Sequence, residues 1–198
     1  MKRILLASSS PRRIELLRKF NIDFDIVPSS FEEKIFEMDP ISLAIDMAKG
    51  KALDVAKNIN RDFIIISADT IVTKDGKVFG KPKDEEDAIK MLKVLSGSTH
   101  EVVTAICVYD LGKEILKCDF EKTEVVFKEL TEQEILDYIN TKEPFDKAGA
   151  YAIQGIGSLF VKSINGCFFN VVGLPIFKLD QLLREVGVNL LKGSVSFE

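Results

Sequence analysis

Residues 5–17 read LLASSSPRRIELL. An apolar run gives way to three serines, a proline and two adjacent arginines where an amphipathic pattern begins. Cations are disfavoured at a helix N-terminus, where exposed N–H groups carry partial positive charge. Arg12 and Arg13 at such a place therefore suggest an incoming anion. A strand, a small-residue turn and a helix start can bind phosphate through backbone N–H groups, and guanidinium forks add bidentate donors. The same residues also suit a solvated arginine pair at an ordinary helix start. The stretch has neither the G-x-x-x-x-G-K-[ST] spacing of a Walker site nor a G-x-G-x-x-G.

Other candidates are scattered along the chain. Asp69 follows the apolar run of IIISADT, as acids do at strand ends that face functional clefts, although a turn or capping aspartate reads the same. Glu32 and Glu33 follow PSSF and alone would be surface charge. Together with Asp69 they offer two carboxylate groups able to hold Mg²⁺ between protein and phosphate. Lys81 and Lys83 flank the proline of GKPKD, and Lys51 lies at the edge of a helical apolar stripe, where snorkelling alone would account for it. Residues 146–160, DKAGAYAIQGIGSLF, carry glycines that permit close backbone approach to a ligand, and Gln154 offers an amide donor and acceptor suited to a base edge. His100 has no nearby histidine or cysteine and reads as a hydrogen-bonded structural residue, not a zinc ligand. Two arginines, two or three lysines, two carboxylates and an amide suit a polyanion that bears a metal and a base, which describes a nucleotide.

The elements that must position these residues follow from periodicity. A strand is expected over 2–7. A helix then runs from Ser10 as N-cap and Pro11 to about Phe20, with Leu16, Leu17 and Phe20 inward. A strand at 23–27 precedes a helix over 40–58 with the stripe Ile41, Ile45, Ala48, Ala52, Val55 and Ile59, weakened by Gly50. A strand over 62–69 ends at Asp69, and Asp75-Gly76 marks a hairpin. A helix over 83–97 has acids in its first turn, and two long β runs meet at 111–113. Thr131 and Glu134 form a capping box, Asn165-Gly166 marks a second hairpin, and a helix closes the chain at 175–187. Strands outnumber helices, so the expectation is α/β with a mixed sheet.

The chain of 198 residues suits one domain, and 46% hydrophobic with 29% charged residues suits a globular core. A net charge of -4 argues against a broad nucleic-acid surface while allowing a local basic pocket. Cys107, Cys118 and Cys167 are odd in number and widely spaced, and read as buried free thiols of a reducing compartment. The apolar core of MKRILLASSS is too short for a secretory signal, and no run approaches membrane-spanning length. The expected location is the cytoplasm.

LASSSPRRIELL, SADTIV, GKPKD, SGSTHEVVT, DKAGAYAIQG and FNVVGLP, in this order, resemble the signature segments of the Maf family, from residue 4 to about 186. The resemblance implies an inosine-triphosphatase-like fold of the Maf/Ham1 type: a mixed twisted sheet flanked by helices, one domain over 1–198 with a nucleotide cleft between two lobes. It implies a nucleoside triphosphate pyrophosphatase that uses a divalent cation, Mg²⁺ or Mn²⁺, and works as a homodimer; charge and run length add the expectation of no nucleic-acid or membrane partner. By the same resemblance Ser8, Arg12, Arg13, Lys51 and Lys81 grip phosphate, Glu33 and Asp69 hold metal, and Asp69 is the catalytic centre, with Glu32 an alternative to Glu33. Arg12, Thr70 and Gln154 match the positions that select substrate, in the branch acting on dTTP and UTP. The expected reaction is attack of water on the α-phosphorus. The alternative is a non-catalytic nucleotide-binding regulator of cell division, which would not need both acids.

Overall fold

The computed structural model describes residues 2–32, 38–59 and 62–192. In chain order the elements are β1 (Arg3–Leu6), α1 (Pro11–Arg18), β2 (Phe24–Ile26), α2 (Pro40–Ala56), β3 (Phe63–Lys74), β4 (Lys77–Phe79), α3 (Glu85–Leu95), β5 (Thr99–Asp110), β6 (Ile115–Phe127), α4 (Glu132–Asn140), β7 (Val161–Asn165), α5 (Phe168–Val172) and α6 (Ile176–Glu185). Short 3-10 turns occupy Glu143–Asp146, Ala148–Ala150, Ile156–Phe160 and Leu190–Lys192. The strand order is β2-β1-β3-β5-β6-β7, with β4 paired to β3. β1 runs parallel to β2 and β3, whereas β3–β4 and β6–β7 are antiparallel. The expected mixed α/β sheet with flanking helices is what forms.

The chain divides into two compact units. The first comprises Met1–Asp69, Thr104–Glu121 and Gly173–Glu198, the second Thr70–Val103 and Lys122–Val172. In the first unit, β1, β2 and the start of β3 are parallel neighbours, and Ile64, Ile65 and Ile66 are all buried. Burial of consecutive side chains marks a strand covered on both faces, which explains its unbroken apolar run. α2 buries Leu43, Ala44, Met47, Ala48, Ala52 and Val55, so its inner face is rotated from the expected stripe; Ile41, Ile45 and Ile59 are only half-buried. Gly50 does not interrupt the helix. A Cβ there would run into the ring of Phe31, so the glycine admits a side chain packed on the helix.

The second unit packs Val72, Leu92, Leu95, Val102, Val125, Phe127, Ile135, Tyr138 and Phe160 into one core. The hairpin at Asp75-Gly76 forms as expected, with φ of 50° and 76° at the two turn residues. The capping box forms as well: Thr131 Oγ1 accepts from Glu134 N, and Glu134 Oε2 accepts from Thr131 N. The hairpin expected at Asn165-Gly166 does not form. β7 ends at Asn165 and the chain enters α5 instead of a partner strand. Gly166 has φ of 133°, and a Cβ there would lie 2.8 Å from Thr123 Oγ1, so close packing dictates this glycine as much as the turn does.

The cysteine expectation is corrected. Cys107 and Cys118 form a disulfide and only Cys167 is free. The two are 11 residues apart in sequence but sit equally far from the turn joining β5 to β6, which brings them side by side. Linear spacing does not reveal such cross-strand neighbours.

Candidate functional site

The first unit carries the phosphate-type residues. β1 ends in buried Leu6, the chain turns through 7–10, and Pro11 opens α1 with its fixed φ at a position that needs no N–H. Ser10 is the N-cap residue, but its side chain makes no cap hydrogen bond. Buried Ser8 accepts from Ser10 N at 3.2 Å and from Arg13 Nη1 at 3.5 Å. Arg13 Nε donates to the carbonyl of Gly173 at 2.7 Å, so the guanidinium is oriented by the GLP segment that leads into α6. Arg12 beside it is half-buried. Gly173 is a residue that sequence reasoning did not place in this arrangement. The signal was FNVVGLP, a motif with no chemistry of its own until the fold brings its carbonyl to Arg13.

Asp69 differs from expectation in one respect. It does not end its strand: β3 continues to Lys74. An alternating register explains its aim. Ser67 and Asp69 are two apart and so share a face of β3, and Ala48 and Lys51 are three apart and so share a face of α2. Ser67 Oγ donates to the carbonyl of Ala48 at 2.6 Å, and Lys51 Nζ donates to Asp69 Oδ1 at 2.6 Å. Both side chains of the ion pair are mostly buried, 13% and 11% exposed. Lys51 therefore does not snorkel along its helix; it brings its ammonium to a buried carboxylate.

The segment that precedes Glu32 is braced from the same helix. Asp54, one turn beyond Lys51, accepts from Ser29 Oγ at 2.7 Å, Ser30 N at 2.8 Å and Ser30 Oγ at 3.1 Å. The Ser29 hydroxyl holds the Asp54 carboxyl below its ordinary value, and the Ser30 groups reinforce it. With Phe31 seated on Gly50, residues 29–31 are fastened to α2 just ahead of Glu32, which is exposed. Glu33 lies outside the described residues. Asp54 was missed because a lone helical aspartate next to lysines looks like surface charge.

The second unit carries Thr70, Lys81 and Gln154. Thr70 is half-buried; Lys81 and Gln154 are exposed. A backbone bond from Gly149 N to the carbonyl of Gly80, at 3.1 Å, ties the loop before Lys81 to the segment that leads to Gln154. The glycine-rich stretch does not have the expected reason for its glycines. Added Cβ atoms would meet Val72 at Gly149, the Glu143 carboxylate at Gly155 and the Tyr138 hydroxyl at Gly157. The groups that approach this backbone closely are the protein's own.

His100 is structural, as expected. It is 1% exposed, its Nε2 lies 2.8 Å from the Tyr151 hydroxyl, and it packs edge-on against Phe127 and Tyr151. Burial, with help from Lys74, pushes its pKa down to about 4, so the ring is neutral at neutral pH.

Chemically, the first unit offers cationic and hydroxyl donors beside one buried carboxylate, and the second an exposed lysine and an exposed amide. Among the described residues no three of His, Cys, Asp and Glu group to hold a metal. That does not conflict with Mg²⁺, which is bound through one or two carboxylates with phosphate oxygens and water as its other ligands. Asp69 has the chemistry of such a ligand.

Comparison with known proteins identifies the family. The family described as Maf-like protein matches residues 3–186. The dTTP/UTP pyrophosphatase of Caldicellulosiruptor saccharolyticus is 51% identical over 98% of this chain and 100% of its own length. That of Aquifex aeolicus is 47% identical with the same coverage. Among solved structures, the Ham1 protein of Staphylococcus aureus is 16% identical over 64% of this chain and 72% of that one, at a TM-score of 0.45. A superposition of that quality leaves the architecture resting on the strand order described above. The match spans every segment that builds the arginine turn, the Lys51–Asp69 pair and the Gln154 segment, and on that footing the chain belongs to the Maf family.

Proposed function

We propose that this protein hydrolyses dTTP and UTP to the nucleoside monophosphate and pyrophosphate. The observation that carries the reading is the near-half identity, over essentially full length, to proteins named dTTP/UTP pyrophosphatase. The whole chain, 1–198, acts as one Maf-like domain. Ser8, Arg12, Arg13, Lys51 and Lys81 neutralise and orient the triphosphate. Charge builds on phosphate oxygens in the transition state, so positioning and electrostatics supply most of the catalysis. Water attacks the α-phosphorus, the bond from that phosphorus to the α,β-bridging oxygen breaks, and pyrophosphate leaves. Asp69 accepts the proton of the attacking water, and Lys51 fixes the carboxylate for that task. Glu33 and Asp69 would hold a divalent cation, Mg²⁺ or Mn²⁺, which supplies charge neutralisation at the phosphates. Arg12, Thr70 and Gln154 read the base: the Gln154 amide donates to a carbonyl and accepts from the ring N–H of uracil or thymine, whereas cytosine presents an amino group to a donor. The protein works in the cytoplasm as a homodimer. No helix among the described residues is long and apolar enough to cross a membrane.

The experiment is a product assay. Purified protein with UTP or dTTP and Mg²⁺ should release phosphate detectable only after inorganic pyrophosphatase is added. Orthophosphate released directly would mean a phosphatase. No cleavage with intact nucleotide binding would favour the non-catalytic regulator.

A further inference from the structure

Gln154 sits at the tip of a tight turn, closed by a bond from Gly155 N to the carbonyl of Ala152 at 3.3 Å. Both flanks of that turn converge on two side chains from the end of α4 and the residue after its reversal. Upstream, Ala152 N donates to Tyr138 Oη at 3.3 Å. Downstream, Ile156 N donates to Glu143 Oε2 at 2.9 Å and Gly157 N to Glu143 Oε1 at 3.0 Å. Tyr138 Oη donates to Glu143 Oε1 at 2.8 Å and so joins the two sides. Lys142, at φ of 62°, turns the chain back so that Glu143 faces Tyr138. Gly155 and Gly157 have no Cβ where the carboxylate and the hydroxyl pass. Three backbone N–H groups thus rest on one hydrogen-bonded pair, and one exposed amide is carried between them.

We propose that Tyr138 and Glu143 are positioning residues for base selection: they hold residues 152–157 so that Gln154 presents its amide in one orientation. This rests on the pyrophosphatase reading above. A single amide can tell a carbonyl from an amino group only if it cannot retreat, since a mobile turn would let the mismatched pair separate and meet water. Selectivity of this kind needs the reading group held to within about 0.5 Å by its supporting shell. The hydrogen bonds of the Tyr138–Glu143 pair go to one another and to the backbone of residues 152–157, so its loss acts on selection and not on the chemical step.

The test is a double-mutant cycle read in the ratio of kcat/KM for UTP to that for CTP. Glu143→Gln keeps the volume but sets an amide N–H₂ against donors, and Tyr138→Phe removes one hydroxyl. Each should lower the ratio about tenfold, with kcat at saturating UTP within about threefold of wild type, as expected for lost discrimination without lost chemistry. Gln154→Ala should lower the ratio comparably, and E143Q/Q154A should fall no further than Q154A, because one residue acts through the other. Amide exchange at Ile156 and Gly157 should quicken in E143Q and stay at wild-type rates in Q154A. An unchanged ratio in both E143Q and Y138F overturns the proposal, as do losses that add in the double variant. Wild type that releases no pyrophosphate from UTP would sink the pyrophosphatase reading instead. The same cycle read in equilibrium binding of UTP and CTP then decides the positioning role. If E143Q does not fold, Y138F and Y138F/Q154A carry the cycle.

Discussion

The arginine turn with the Lys51–Asp69 pair and the Gln154 turn place functional side chains by opposite means. In the first, the charged groups bond to one another, to a hydroxyl or to backbone: Lys51 to Asp69, Arg13 to the Ser8 Oγ and the Gly173 carbonyl. In the second, Lys81 and Gln154 are exposed, and the backbone near them is bonded instead, through Gly149 to Gly80 and through Tyr138 and Glu143. Phosphate is a large, fixed charge, and a preset cluster of charges receives it at little cost of reorganisation. A base edge differs between substrates by one donor or acceptor. In the proposed reading it falls to the exposed Gln154 amide, and accuracy has to come from the scaffold behind it. The contrast teaches that the residues to perturb are the charged side chains themselves in one region and their silent supports in the other.

The largest expected effect breaks the first region. Asp69→Asn keeps the shape and removes the charge, and turnover should fall at least about a hundredfold, the scale of general-base catalysis. Lys51 then loses its counter-charge, yet circular dichroism should show a folded protein. Turnover within a few-fold of wild type would remove Asp69 from the mechanism.

Acid should break the second region first. His100 folds neutral with its pKa lowered from 6.5 to about 4, so the unfolded chain binds its proton more readily between those values. Stability is therefore complete above about pH 6.5 and falls as pH drops toward 4, by about 3 kcal/mol in all. Denaturant titrations at pH 7 and pH 4 measure this. His100→Gln should be less stable at pH 7 but flatter with pH in that window. An equally steep wild-type and variant profile would assign the acid sensitivity to other groups.

A smaller effect tests whether Arg13 works through its planar fork. In Arg13→Lys the ammonium cannot hold the Gly173 carbonyl and a phosphate with one rigid group. kcat/KM should fall about tenfold, near the value of one charge-assisted hydrogen bond. An unchanged value would return the arginine pair to solvated surface charge.

The smallest effect sharpens the contrast between side chain and support. Gly50→Ala gains about 1 kcal/mol of helix propensity, but its Cβ displaces the Phe31 ring, which is 37% exposed and can swing outward. The melting temperature should stay within a few degrees of wild type, while kcat/KM drops about threefold as the braced segment before Glu32 loosens. A variant equal to wild type in both would show that Phe31 does not matter to the acidic segment.

Sequence by itself determined the local devices and the inventory. Pro11 after the serine turn, Asp75-Gly76 and the Thr131–Glu134 capping box act within a few residues, and each formed where its pattern lay. Six ordered segments also sufficed to suggest the family, because motif order survives without knowledge of contacts. What only the tertiary structure decided has one cause: the partner lies far along the chain. Lys51 meets Asp69 because the periods of a helix and a strand coincide at Ala48–Lys51 and Ser67–Asp69, and nothing in either segment names the other. Arg13 finds Gly173 across 160 residues. Cys107 and Cys118 pair across neighbouring strands, and Gly166 is needed where Thr123 packs against it. The glycines beside Gln154 looked like room for a ligand, and the fold fills that room with Glu143 and Tyr138. A missing side chain records that something comes close, and only the folded chain shows what.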